Sequence, residues 1–159
     1  MVMESVYIET TIPSYYTGRP PRDIVLAARQ QLTIEWWDLH SAEYEIFSSQ
    51  VVLDETRRGD PEAAAKREEF LMAIPLLDIS ERVIEVAEDL IVSGIIPKKA
   101  SDDAYHIACA AVHRIDYLLT WNCKHIANAD LLPALYETLR AEGFPSPLIV
   151  TPEEFSDAG

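Results

Sequence analysis

Four residues combine a reactive type with a telling place in the chain: Glu9, Glu55, Asp103 and Asn122. Each stands at the carboxyl end of a short apolar run, just beyond one, or at the mouth of a helix near one. Gathered carboxylates repel one another and cost stability unless a cation neutralises them. Mg²⁺ or Mn²⁺ meets that need, being a hard ion that takes oxygen ligands and keeps several waters. An ion held by a few carboxylates activates a bound water against a phosphodiester and stabilises the departing oxygen. Spacing alone leaves plainer readings open. Asp103 is then a charge at a helix start, where the dipole favours a carboxylate. Glu55 is a surface acid and Asn122 a turn residue.

Other chemistries find no support. The five glycines, Gly18, Gly59, Gly94, Gly143 and Gly159, are scattered, so there is no phosphate-cradling loop or dinucleotide fingerprint. No Gly-x-Ser-x-Gly elbow offers a nucleophile. His106, His113 and His125 lack the spacing of a zinc site, and His106 reads as a satisfied helix histidine. Cys109 and Cys123 form no Cys-x-x-Cys pair and read as free, buried thiols of a reducing cytosol. The net charge of −14, from 27 acidic and 13 basic residues, argues against general coating of nucleic acid. Yet seven of the 13 basic residues lie in or beside the four acidic stretches: Arg19, Arg22, Arg57, Arg58, Lys98, Lys99 and Lys124. A cationic rim round an anionic pocket suits a phosphodiester substrate. No apolar run approaches the roughly 20 residues of a membrane span, and no basic segment precedes an apolar block at the start. The expectation is a cytoplasmic protein with no membrane contact.

The elements that must position these residues alternate. Ser5–Ile8, Glu45–Ser48, Leu76–Ile79, Asp116–Thr120 and Ser146–Val150 read as short, uniformly apolar strands. Between them run helices from about Arg22 to His40, from Ser49 to Arg58, from Ala63 to Ala73 behind an Asp60-Pro61 start, from Ser80 to Gly94, from Ser101 to about Arg114, and from Asp130 to Glu142. Val25, Ala28, Leu32, Trp36 and Leu39 mark the predicted inner stripe of the first. Ser101 or Asp102 is the predicted cap of the fifth. Pro13–Gly18 reads as a break, and Thr151 onward as a tail. With 48% apolar residues and strands covered on both faces, the expectation is one α/β domain over residues 1–159 with a mostly parallel sheet. Ligands of such sheets collect beyond the carboxyl ends of the strands.

The same residues carry a resemblance. Tyr7-Ile8-Glu9-Thr10-Thr11-Ile12-Pro13-Ser14 resembles the opening strand and Asp-Thr-Ser motif of the PIN-domain ribonucleases, the family of the VapC toxins. Ser49-x-x-Val52-Leu53-x-Glu55 is similar to their second motif. Ser101-Asp102-Asp103-Ala104-Tyr105-His106-Ile107-Ala108-x-Ala110 is similar to the third and most specific. Tyr117-Leu118-Leu119-Thr120-Trp121-Asn122-x-Lys124-His125 resembles the fourth, usually Thr-x-Asp. The match runs in order from about Ser5 to Asn128.

That resemblance implies a three-layer fold of about five short strands flanked by helices, a pocket for Mg²⁺ or Mn²⁺, cleavage of single-stranded RNA, homodimerisation, and an antitoxin protein that occupies the site. Carried over, Glu9, Glu55 and Asp103 stand for the catalytic acids and metal ligands, and Asn122 stands at the fourth ligand position. Thr10 and Thr11 stand where a hydroxyl fixes the first acid or a water. Asp102 competes with Asp103, but the acid directly before Ala-x-His is the better match. Arg57, Lys98, Lys99 and Lys124 are the candidate RNA contacts. Tyr15 and Tyr16 stand where they would either stack on bases or pack.

Two departures matter. Glu9 in place of Asp moves its carboxylate outward by about 1.5 Å, one carbon–carbon bond. Asn122 offers an amide oxygen where a carboxylate is usual. They keep alive a second expectation, a weakened PIN domain that binds RNA or protein without cutting. A third, a phosphoacceptor signalling domain, expects an acidic pair after the first strand. Here Glu9 is followed by Thr10-Thr11.

Overall fold

A strand whose residues are apolar without alternation must be covered on both faces. In the computed structural model, which describes residues 2–156, that holds first for Ser5–Ile8 (β1), buried along its whole length. Glu45–Ser49 (β2), Leu76–Leu77 (β3), Tyr117–Leu119 (β4) and Leu148–Val150 (β5) join it in one sheet of order β3-β2-β1-β4-β5. Every pairing is parallel, with Tyr7 opposite Phe47 on one side and Leu118 on the other. The chain starts at the centre, builds outward through β2 and β3, then returns to the far side of β1. The point of reversal lies between β1 and β4, where parallel sheets open a crevice at their carboxyl ends.

Eight helices among the described residues flank the sheet: Thr11–Thr17 (α1), Ile24–His40 (α2), Gln50–Thr56 (α3), Pro61–Leu71 (α4), Glu81–Val92 (α5), Ser101–Val112 (α6), Leu132–Ala141 (α7) and Pro152–Ser156 (α8). Local chemistry starts several of them. Asp23 accepts from Val25 N and Leu26 N, Asp60 from Ala63 N, and Ser80 Oγ from Val83 N. Gly94 ends the α5 segment at φ +81°, a left-handed conformation that costs glycine little. The expected inner stripe of α5, Val83, Val86, Ala87 and Leu90, is fully buried.

Several expectations are corrected. Pro13 does not break the chain; it sits in the first turn of α1, where its missing N–H costs no hydrogen bond. The inner stripe of α2 is rotated, so Val25 and Leu39 are exposed while Gln30, Thr33 and Trp36 are buried. Gln30 and Thr33 can go inside because their polar atoms are used: Gln30 Nε2 donates to Tyr15 O and Gly18 O, and Thr33 Oγ1 accepts from Trp121 Nε1. Neither Ser101 nor Asp102 caps α6. A 3₁₀ turn at Lys98–Ala100, closed by Ala100 N to Pro97 O at 2.8 Å, leads into the helix, and both residues fall inside its first turn. The tail after Thr151 is helical, and Phe155 stacks on Trp36 at 5.4 Å between ring centroids. Of the two thiols, Cys109 is buried, and burial pushes it up to about 12, whereas Cys123 is exposed.

Helix α6 is the inner helix. Ala104 and every residue from His106 to Ala111 are buried, so it is enclosed on nearly all sides, with α5 packed against it. A helix buried all round has little place for an unpartnered polar side chain. His106, fully inaccessible, is therefore the residue of α6 that most needs explaining.

Candidate metal centre

The first acid stands where the chain leaves β1. Glu9 is 3% exposed, and its side chain accepts from Thr11 N (3.0 Å), Thr11 Oγ1 (2.6 Å) and Thr120 Oγ1 (2.7 Å). The turn into α1 sets this up: Ile12 N bonds Glu9 O, so the free donors of the first turn fold back over the carboxylate. Thr120, one residue past β4, reaches it from the neighbouring strand. All three bonds end on Oε1. Among the described residues no donor reaches Oε2, although the side chain is almost wholly enclosed.

The second and third groups come from α6. Asp103 and His106 are three residues apart and so share a helix face. One donor atom each from Glu9, Asp103 and His106 lies within 4.8 Å of the others. Both ring nitrogens of His106 are engaged. Nδ1 meets the Tyr7 hydroxyl at 2.7 Å, and that hydroxyl meets Ser49 Oγ at 2.7 Å. Nε2 meets Glu55 Oε1 at 2.5 Å, and Thr10 Oγ1 donates to the same oxygen at 2.7 Å. The two threonines after β1 thus serve different acids, Thr10 holding Glu55 and Thr11 holding Glu9.

The electrostatics follow from this enclosure. Burial raises the Asp103 carboxyl, and the charges of Glu9 and Glu55 add to that; His106 and a hydrogen bond from the Asn122 side chain act against it without cancelling it. Burial alone would raise Glu55 as well, but its hydrogen bond to His106, the imidazolium charge, Thr10 and Arg58 bring it below the usual carboxylate range. His106 would be lowered by burial; Glu55, Glu9 and Asp103 overcome this and hold it above the usual imidazole value. The cluster favours positive charge in its midst. Its donor set, two carboxylates and an imidazole with a bare carboxylate oxygen, fits a divalent cation.

The remaining predicted residues divide. Asn122 lies beside Asp103, but its Oδ1 accepts from His125 N at 3.0 Å, so it meets Asp103 with its NH₂ edge. Asp102 points away and pairs with Arg58 at 3.0 Å. Arg57 is tied to Glu68. Lys98, Lys99 and Lys124 are exposed, and none pairs with a carboxylate among the described residues. Tyr15 packs edge-on against Trp121, and Tyr16 packs on Trp37 and Phe70 while donating to Asp38, so both are packing residues. Sequence reasoning gave Tyr7 and Thr120 no role and read His106 as a satisfied helix histidine; both its ring nitrogens are hydrogen-bonded, and it also belongs to the cluster. The three-residue interval from Asp103 to His106 was the signal that could have placed it there. A groove of about 610 Å³, lined by Asp54, Leu76, Leu77, Ile79, Asp102 and Tyr105, shares none of the cluster's three groups.

No family model and no curated protein matches the sequence. Among solved structures, the fold is similar to one in the crystal structure of VapBC2 from Rickettsia felis bound to a DNA fragment from their promoter. A chain of that complex superposes with a TM-score of 0.57 at 16% identity, over 92% of this chain and 98% of its own. The fold is PIN-like. The five-stranded parallel sheet flanked by helices is the architecture the two share. At this identity the agreement is one of backbone, and the PIN-like fold does not itself say what the pocket does. Among the described residues, no helix is long and apolar enough to cross a membrane.

Proposed function

We propose that the chain is a metal-dependent endoribonuclease acting on single-stranded RNA, the toxin of a toxin–antitoxin pair. The observation that carries this reading is the convergence of Glu9, Asp103 and His106 within 4.8 Å at the sheet's point of reversal, with Glu55 joined to them through His106. A divalent ion, Mg²⁺ or Mn²⁺, would supply an activated water and neutralise charge on the phosphate. Glu9 and Asp103 are the residues that would hold it. The protein's own contribution is orientation. Thr11 and Thr120 fix Glu9 and Thr10 fixes Glu55, so the acids are set before substrate arrives. Glu55, kept ionised by its surroundings, would accept a proton from an attacking water. Lys98, Lys99 and Lys124 leave their charges free for phosphates.

An antitoxin partner is supported by the fold shared with a chain of a VapBC2 complex, and a homodimer is part of the same proposal. The weakened, non-cutting reading keeps one observation in its favour: Asn122 turns an amide, not a carboxylate, toward Asp103. One experiment separates the two. Assorted single-stranded RNAs are incubated with the protein and Mn²⁺ or Mg²⁺, against a chelator control. Metal-dependent cleavage that disappears in Asp103→Asn supports the nuclease. RNA retained on the protein without cleavage, at any metal concentration, overturns it in favour of the binding module.

A further inference from the structure

We propose that His106 is itself a metal ligand, its Nε2 completing a set with one oxygen each of Glu9 and Asp103, and that this nitrogen makes the site prefer Mn²⁺ or a later first-row ion to Mg²⁺. The inference rests on the nuclease reading only in that the pocket holds a metal; it concerns which atoms hold it and which metal they select.

Three observations converge. The donor atoms of the three residues already lie within 4.8 Å of one another. Glu9, 3% exposed, has three donors on Oε1 and none on Oε2 among the described residues, so one of its carboxylate oxygens carries no hydrogen bond from the protein and is free to meet a cation. The far side of the imidazole is arranged as metal-bound histidines are. Such a ring donates its second N–H to an acceptor, which fixes tautomer and orientation. Here Nδ1 faces the Tyr7 hydroxyl, which is anchored on Ser49 Oγ. Tyr7 is fully buried, and a phenol hydroxyl can accept from Nδ1–H while it donates to Ser49 Oγ.

The remaining nitrogen, Nε2, is 2.5 Å from Glu55 Oε1. The two are hydrogen-bond partners, so one proton lies between them. A cation entering beside Glu9 and Asp103 takes the place of that proton, which leaves to solvent. Glu55 keeps its bond from Thr10. Mg²⁺ demands oxygen ligands and sheds water reluctantly, whereas imidazole suits the transition ions. A nitrogen in direct coordination therefore penalises Mg²⁺ selectively.

The decisive measurement needs no RNA. Mn²⁺ is bound to the protein at one equivalent and examined by pulsed electron paramagnetic resonance. The expected result is a ¹⁴N coupling that changes to the ¹⁵N pattern when the protein is grown with ¹⁵N-histidine. The coupling should vanish in His106→Gln and persist in His40→Gln, His113→Gln and His125→Gln, which identify the ring even if the His106 variant folds poorly. Competition titration should show Mn²⁺ binding at least about tenfold more tightly than Mg²⁺, the scale on which supporting groups move metal affinity. Tyr7→Phe should keep the coupling and weaken Mn²⁺ by about tenfold or more. One bound Mn²⁺ with no nitrogen coupling overturns the ligand assignment and leaves the nuclease reading standing. No Mn²⁺ binding at all overturns both.

Discussion

His106 Nε2 and Glu55 Oε1 share a hydrogen bond of 2.5 Å between two helices, although the residues are 51 positions apart in the chain. The pair ties α6 to α3 at the mouth of the crevice, and each partner shifts the other: Glu55 titrates below its usual range and His106 above its own. Their contributions to stability have opposite pH limits. Glu55, with a lowered folded value, contributes above its unfolded value near 4.5, and the contribution is lost as pH falls through the folded one. His106, with a raised folded value, contributes below 6.5, and that is lost as pH rises through the folded one. Metal-free protein should thus be most stable between about pH 4.5 and 6.5 as far as this pair is concerned. His106→Gln should flatten the alkaline decline. Melting temperatures in chelator across pH 4 to 9 measure both; an unchanged profile in the variant would remove His106 from the pair.

Asp103 should behave in the opposite sense to a stabilising acid. Its carboxyl is raised, first by burial, so the stability it lends is present below its unfolded value near 3.8 and is lost as pH rises through the folded one. Asp103→Asn should abolish metal-dependent cleavage while leaving metal-free stability at neutral pH equal or higher. Asp102→Asn is the control, since it breaks only the partly exposed pair with Arg58 and should cost under about 1 kcal/mol. Wild-type cleavage in Asp103→Asn would remove it from the site.

The support beneath Glu9 can be tested from the neighbouring strand. Thr120 is inaccessible, donates to Glu9 at 2.7 Å and accepts from Asn122 N at 2.9 Å. Thr120→Val keeps the shape and removes both bonds, one of them to a carboxylate. It should cost about 2 kcal/mol in denaturant unfolding and weaken Mn²⁺ about tenfold. Thr120→Ser, which keeps the hydroxyl, should recover most of both. If valine and serine behave alike, Glu9 is held by Thr11 alone.

Much of this fold was legible in the sequence because strand runs without alternation have one meaning, cover on both faces, and because Asp60-Pro61 and Ser80 announce helix starts. The crevice was legible at one remove, since Glu9, Glu55 and Asp103 stand at strand ends or helix mouths. What escaped is what depends on approach between distant segments. Gln30 and Thr33 look like outward-facing residues of α2 until Gly18, Tyr15 and Trp121 arrive to satisfy them. His106 looks like a lone histidine until Tyr7 and Glu55, 99 and 51 residues away, close on its two nitrogens. Spacing along one helix names its neighbours on that helix and no others.

The rim gives a prediction in salt. Lys98 and Lys99 lie on the exposed 3₁₀ turn that leads into α6, without a carboxylate partner among the described residues. Replacing both by Ala should weaken single-stranded RNA binding and reduce the slope of log affinity against log salt by about 0.7 for each phosphate that a lysine had neutralised. Metal binding should be unaffected. An unchanged slope would show that the lysines do not touch RNA.

Asn122 is the residue at which the pocket's charge can be raised with least change of shape. Its Oδ1 caps the following turn by accepting from His125 N, and its NH₂ donates to Asp103. Asn122→Asp keeps the first bond, since a carboxylate oxygen accepts equally well. It turns the second into a contact between two acids. With no metal, the favourable donor becomes a like charge, Asp103 is pushed higher still, and the folded state loses stability. With metal present, the added carboxylate draws the cation more strongly. The variant should therefore melt lower than wild type in chelator, bind Mn²⁺ more tightly by calorimetry, and recover more of its melting temperature on metal addition, because an ion bound only by the folded state stabilises it by mass action. The two effects have opposite signs in one protein, which a general loss of packing cannot imitate. Unchanged melting in chelator together with unchanged Mn²⁺ affinity would place residue 122 outside the electrostatic reach of the centre.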